Sequence, residues 1–337
     1  MPEAARSPSP LPFFRAVNAY QQTEALKAAI ELDLFTAIAE GKTASAAIAE
    51  RVGVPERGAR ILSDYLVTMG LLEKTAGSYA LTQDSALFLD RRSPAYLGGA
   101  LAFLLSDEIR GAFGRLTECV RKGGTCMDEE GTLVRDNPIW VTFARAMAPV
   151  MAQPAERLAQ RAARAAGPLK VLDLAAGHGL FGIAVARRNA EAQVFAVDWP
   201  SVLEVAHSNA VRAGVENRHH LLPGSAFERE FGEGYDLALV TNFLHHFDRP
   251  TCEALLRKIR TSLGGHGQVA ILDFIPNDDR VTPPEAAAFS LTMLVSTPLG
   301  DTHTYADLDA MCKAAGFAGT ELVRLDSLPA AIVLGHC

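Results

Sequence analysis

Residues 169–182 read LKVLDLAAGHGLFG, and the fold turns on them. The first seven, LKVLDLA, are apolar almost without alternation, as in a strand buried on both faces. They run into a glycine-rich turn, Ala176-Gly177-His178-Gly179-Leu180-Phe181-Gly182. Gly177, Gly179 and Gly182 satisfy GxGxxG, the dinucleotide fingerprint, so NAD is one reading. The acids favour another. Asp198 closes the next strand and could accept both ribose hydroxyls of either cofactor. Asp173, however, stands inside the strand just before the turn, where a pyrophosphate at a helix N-terminus tolerates no carboxylate. S-adenosylmethionine (SAM) has no phosphate and carries a sulfonium and an ammonium, so Asp173 favours SAM.

Downstream, the texture is alternately strand and helix. AQVFAVD (192–198), YDLALVTNFL (235–244) and GQVAILDFI (267–275) are apolar runs separated by helical segments. ELVRLDS (321–327) and AAIVLG (330–335) close the series as a hairpin around Leu328 and Pro329. Together these predict a doubly wound, mainly parallel α/β sheet. Upstream, residues 97–165 read as helical, with Trp140, Phe143, Met147 and Met151 on one helix face, either core or pocket wall. Residues 12–38 are also helical, and 43–53 form a short helix ended by Gly53. Pro55 opens a second helix running to Gly70, and LLEK (71–74) with YALT (79–82) makes a hairpin. Two helices and a hairpin describe a winged helix. Between Glu40 and Arg92 the acidic and basic residues balance at seven each, so packing or dimerisation fits better than DNA binding. Residues 1–10 read as a flexible tail. The expected domains are 11–96, a helical connector 97–165, and 166–337.

The bulk numbers agree. The chain has 337 residues, 49% of them apolar, and a formal charge of −7, which disfavours nucleic-acid binding by bulk electrostatics. Five cysteines without a CxxC pair argue against a zinc site or disulfide scaffold and fit a reducing cytoplasm. No histidine or carboxylate pair has metal-ligand spacing, so no metal is expected. The longest strongly apolar run, Leu97 to Leu105, is far short of the roughly 20 residues that span a bilayer.

Taken in order, VLDLAAGHG, FAVDWP, LPGSAFE, NFLHHFD and GQVAILDFIP resemble the motifs of SAM-dependent methyltransferases. The resemblance is to the O-methyltransferases with an N-terminal winged-helix dimerisation domain, and covers the chain from about residue 12. It implies a Rossmann-like SAM-dependent methyltransferase sheet behind a winged-helix domain that is all-helical but for its hairpin, a homodimer, and a small aromatic or apolar hydroxylated acceptor. It places the cofactor on Asp173, Ala175, Gly177, Gly179, Asp198, Trp199, Ser225, Ala226, Phe227, Asn242 and Met151. Two positions depart from the family pattern: Ala175 replaces the first loop glycine, and Ser225 an acid.

His245 and His246 end the strand 235–244, where open α/β sheets bind their ligands, beside a helix starting near Asp248. The residues alone leave a base and two strand-capping histidines equally open. The resemblance assigns the base to His245 and its orienting acid to Asp273; a second such acid would fall on Thr302, leaving Asp301 as a substitute. It assigns the acceptor pocket to Phe143, Met147, His246, Phe289 and Met293. His178 reads as a polar filler of the glycine loop, His207, His219, His220 and His266 as solvent-facing, and His303 as a pocket border. Methylation at carbon, sulfur or nitrogen, a non-catalytic SAM-binding regulator, and an NAD oxidoreductase stay open as alternatives.

Overall fold

The computed structural model describes residues 7–127, 130–325 and 330–337. Its backbone contacts group into one unit ending at Leu101 and a second from Ala102.

In the first unit the expected helix 12–38 is three pieces, Leu11–Val17, Ala19–Glu31 and Leu34–Ala39. The second break falls at Asp33, which takes a left-handed φ of 56° and is held by Arg91 at 2.6 Å. That partner lies far along the chain, so helical periodicity could not reveal the break. Helices Ser45–Val52 and Glu56–Thr68 follow, then the hairpin β1 (Leu72–Thr75) and β2 (Ser78–Leu81), as expected. Gly53 ends the first of these helices at φ 72°, a conformation that costs glycine nothing. Phe35, Ile48, Leu66, Leu72 and Tyr79 form the core, and the Tyr79 hydroxyl donates to Asp64 at 2.7 Å. Helix Leu11–Val17 buries none of its residues, leaving Phe13 and Phe14 exposed.

The second unit is built on seven strands: β3 (Leu169–Leu174), β4 (Ala192–Asp198), β5 (His219–Pro223), β6 (Tyr235–Thr241), β7 (Leu263–Asp273), β8 (Gly319–Arg324) and β9 (Ala331–His336). Their order is β5-β4-β3-β6-β7-β9-β8, with β9 antiparallel to both of its neighbours and all other pairings parallel. β3 and β6 are almost wholly buried, as their unbroken apolar runs require. Winding reverses between them, and their carboxyl ends open the crevice where such sheets hold ligands.

Two expectations need correction. β5 was not anticipated, and His219 on it is 3% exposed, not solvent-facing. Burial pushes the His219 imidazole down to about 4, and neither ring nitrogen has a partner among the described residues. The expected turn at Leu328 and Pro329 lies outside the described residues, while the strands on either side pair as predicted.

Candidate active site

The glycine turn is assembled around Asp173, not around a phosphate. The carboxylate is fully buried, and its Oδ2 accepts from the Gly182 N–H at 3.0 Å. A Cβ on Gly182 would stand 2.7 Å from that oxygen and 2.6 Å from Val194 Cγ1, so the third glycine of the fingerprint makes room for an acid. Asp173 Oδ1 has no partner among the described residues, and burial pushes the carboxyl up to about 8. Ala175 takes the left-handed conformation, φ 49°, that explains a glycine preference at this position; the alanine bears a modest strain there. Gly177 and Gly179 are also left-handed, and Gly179 caps the helix Leu180–Arg188.

Asp198 leaves β4 with both oxygens engaged. Oδ2 accepts from Gly177 N at 2.8 Å and Oδ1 from Trp199 N at 2.7 Å. Burial outweighs these bonds and raises the carboxyl to about 6. The Asp198 carbonyl accepts from Gly224 N at 2.9 Å, which ties the Ser225–Phe227 turn to the acid. Ser225 is spent locally, its hydroxyl accepting from Phe227 N at 3.2 Å. Ala226 is buried, and the half-exposed Phe227 ring lies edge-on to Phe247 at 4.9 Å. Trp199 starts the helix Pro200–Arg212 and carries the Arg135 guanidinium 5.6 Å over its ring.

β6 ends at Thr241, and Asn242 bends the chain at φ 51°. Its Nδ2 points to Met151 Sδ at 3.7 Å, while its buried Oδ1 has no partner among the described residues. The short 3₁₀ turn Leu244–His246 then brings His245 against Asp273 at the end of β7. Nδ1 lies 2.5 Å from Asp273 Oδ1, and the main-chain N–H of His245 donates to Oδ2 at 3.4 Å. Both side chains are all but fully buried. With the carboxylate accepting, the proton sits on Nδ1 and Nε2 keeps its lone pair. The expected helix follows as Arg249–Ser262, capped by Asp248. Asp301 does not supply a second acid: it is exposed and 3.5 Å from Arg280, while Thr302 shares a 2.5 Å hydrogen bond with Ser290.

Rings line this end of the sheet in a continuous chain. Trp140 meets Phe143 at 5.8 Å and His246 at 5.2 Å, and His246 lies 4.3 Å from His245. On the other side Phe289 presents its edge to His245 at 4.8 Å and stacks on Phe274 at 4.1 Å. Burial, then the neighbouring His245, holds the His246 imidazole well below its usual range; its Nδ1–H donates to the Phe243 carbonyl at 3.2 Å. Met147 and Met151 are buried on the helix Ile139–Ala162, and Met293 is buried one turn beyond Phe289 on Pro284–Ser296. His178 is buried in the glycine loop, and His303 touches the His245 turn through the Leu244 carbonyl at 3.3 Å. Phe274 was missed, although it directly follows Asp273; Trp140 was seen only as part of a helical stripe.

Comparison with known proteins points one way. Residues 131–318 match the O-methyltransferase domain family, and residues 14–91 the O-methyltransferase dimerisation domain. A 3-hydroxy-5-methyl-1-naphthoate 3-O-methyltransferase of Streptomyces sahachiroi is 29% identical over 91% of this chain and 89% of its own length. The crystal structure of a Nostoc punctiforme protein described as a candidate O-methyltransferase superposes with a TM-score of 0.94 at 52% identity, covering 98% of this chain and all of the other. Human N-acetylserotonin methyltransferase with SAM shares the fold at TM-score 0.84 and 22% identity, over 99% of both chains.

Proposed function

The chain belongs to the SAM-dependent O-methyltransferases that carry a dimerisation domain, and from that premise we propose that it methylates the hydroxyl of a flat, apolar aromatic acceptor with His245 as general base. The observation that carries this reading is the buried His245–Asp273 pair within a run of aromatic rings at the strand ends.

The residues present suit SAM. Asp173 Oδ1 and Asn242 Oδ1 are buried oxygens without partners among the described residues, and with Asp173 ionised they match a ligand rich in N–H donors and positive charge. Asp198 would take the ribose hydroxyls, Ala175, Gly177 and Gly179 would allow close main-chain approach, and Trp199 with Ser225, Ala226 and Phe227 would border the adenine. Met151 and Asn242 would serve the transferring end. SAM supplies an electrophilic methyl group. The protein's tasks are to align the acceptor oxygen and to accept its proton at His245 Nε2. Asp273 holds the imidazole in the required tautomer and balances the imidazolium that forms.

Phe143, Met147, His246, Phe289 and Met293 form the acceptor wall. A neutral His246 adds a polar edge to a wall of rings, so a flat ring system fits. The naphthoate acted on by the Streptomyces relative is an acceptor of this shape. We read the N-terminal unit as a winged-helix dimerisation module, and the enzyme as a cytoplasmic homodimer of small-molecule biosynthesis.

The test is transfer of labelled methyl from SAM to a panel of phenols and hydroxynaphthoates. His245→Ala should lower kcat by about 10²–10⁴-fold and leave S-adenosylhomocysteine binding within about twofold, since a base acts on the acceptor. Asp273→Asn should lower kcat in the same direction. A His245→Ala enzyme of undiminished rate would overturn the assignment.

A further inference from the structure

We propose that Lys258 is a positioning residue for the cofactor's nucleoside end, acting through the main chain of residues 226–229; this rests on the reading of Ser225, Ala226 and Phe227 given above. Lys258 lies on the helix Arg249–Ser262, outside the glycine turn and the catalytic pair. Its Nζ donates to three carbonyls of one turn: Arg229 O at 2.7 Å, Phe227 O at 2.8 Å and Ala226 O at 3.3 Å. An ammonium has three N–H donors, so its whole capacity is committed to this backbone. The same Nζ sits 4.4 Å over the face of the buried Phe231 ring.

A surface lysine on a helix ordinarily extends into water, where its head group is best hydrated. Here the head is drawn inward, and desolvation lowers its pKa. Charge-assisted bonds to carbonyls offset that cost and dictate how the three peptide groups are turned. The remainder of the turn is fixed from its ends. Gly224 N donates to the Asp198 carbonyl, Arg229 N to the Ser225 carbonyl at 2.9 Å, and Arg229 Nη1 to the Pro223 carbonyl at 3.0 Å. Asp198 on β4 holds the turn at its first residue, whereas Lys258 holds the carbonyls of residues 226, 227 and 229 from the helix. Without it three carbonyls lose their shared donor, and the turn relaxes between Gly224 and Phe231. Preorganisation of that turn is then replaced by an ordering cost at each binding event.

The experiment compares wild-type, Lys258→Met and Lys258→Arg full-length protein by calorimetric titration with S-adenosylhomocysteine and with adenosine, well below the melting temperature. Lys258→Met should weaken both ligands by the same factor, about tenfold, because the loss lies at the part they share. Lys258→Arg keeps the charge but cannot converge on three carbonyls from one apex, and should weaken both by about threefold. It carries the test if the methionine variant does not fold. A general loss of stability would lower the melting temperature without changing either affinity of the folded protein, so the paired affinities separate positioning from bulk structure. Unchanged adenosine affinity in a folded variant overturns the role of Lys258 while leaving the enzyme assignment intact. Absence of S-adenosylhomocysteine binding by the wild-type protein overturns the cofactor reading and this inference with it.

Discussion

Burial pushes the Asp173 carboxyl up to about 8 from an ordinary 3.8, which favours its acid form in the ligand-free protein at neutral pH. A group raised in this way favours the folded state fully below the unfolded value, and that contribution is lost as pH rises through the folded one. A cation bound beside the unpartnered Oδ1 lowers the pKa again, so SAM should bind with release of a proton. Its affinity should therefore climb between about pH 6 and pH 8 and then level off. Titrations in buffers of different ionisation enthalpy should show that release, and Asp173→Asn should abolish both the release and the climb. A flat affinity profile in the wild type would show that the acid does not meet the cation. The position of Asp173 before the turn could be read directly from the chain. Its protonation could not, since that depends on how completely Gly182, Val194 and the sheet shut out water.

At the scale of elements, the turn bearing His245 is seated on a second turn. A Cβ on Gly300 would come within 2.5 Å of the His245 carbonyl and of Thr297 Oγ1, so the two backbones touch. Gly300→Ala should push the base's turn out of register with Asp273 and lower kcat by about 10²-fold, since a displacement of about 1 Å can cost that much. S-adenosylhomocysteine affinity should hold within about twofold, because most of the groups assigned to it lie on the loops after β3, β4 and β5. Equal losses in both would contradict this. Elements with strong periodicity were legible: β3, β4, β6 and β7 are long apolar runs, and the helices of the N-terminal unit carry glycine and proline punctuation. β5 was not legible, because HHLLP is short, half polar and ends in proline; its pairing with β4 defines it. The His245–Asp273 pair, our proposed base and its acid, was legible only through motif likeness, as the two residues are 28 positions apart and meet through strand pairing.

For the molecule as a whole, five exposed apolar side chains, Leu11, Phe13, Phe14, Val17 and Tyr20, cluster within ten residues on the first two helices. Such a cluster suits an association surface, and under the proposed homodimer its occupant would be a second copy of the chain. Light scattering should find a dimer of about twice 36.0 kDa, and Phe13→Ser with Phe14→Ser should shift it toward monomer by loosening association about 10²-fold or more. A dimer unmoved by the double variant would place the interface elsewhere. The single reversed strand has a further bearing, on the order in which the sheet is made. β9 is last in sequence yet lies between β7 and β8, and its first residue, Ala331, pairs with Asp273. Until residues 331–336 have been synthesised, β8 has no strand to join and β7 is a bare edge bearing Asp273. This part of the sheet is therefore completed by β9, and a nascent chain leaves the β7 edge unpaired until those residues have emerged.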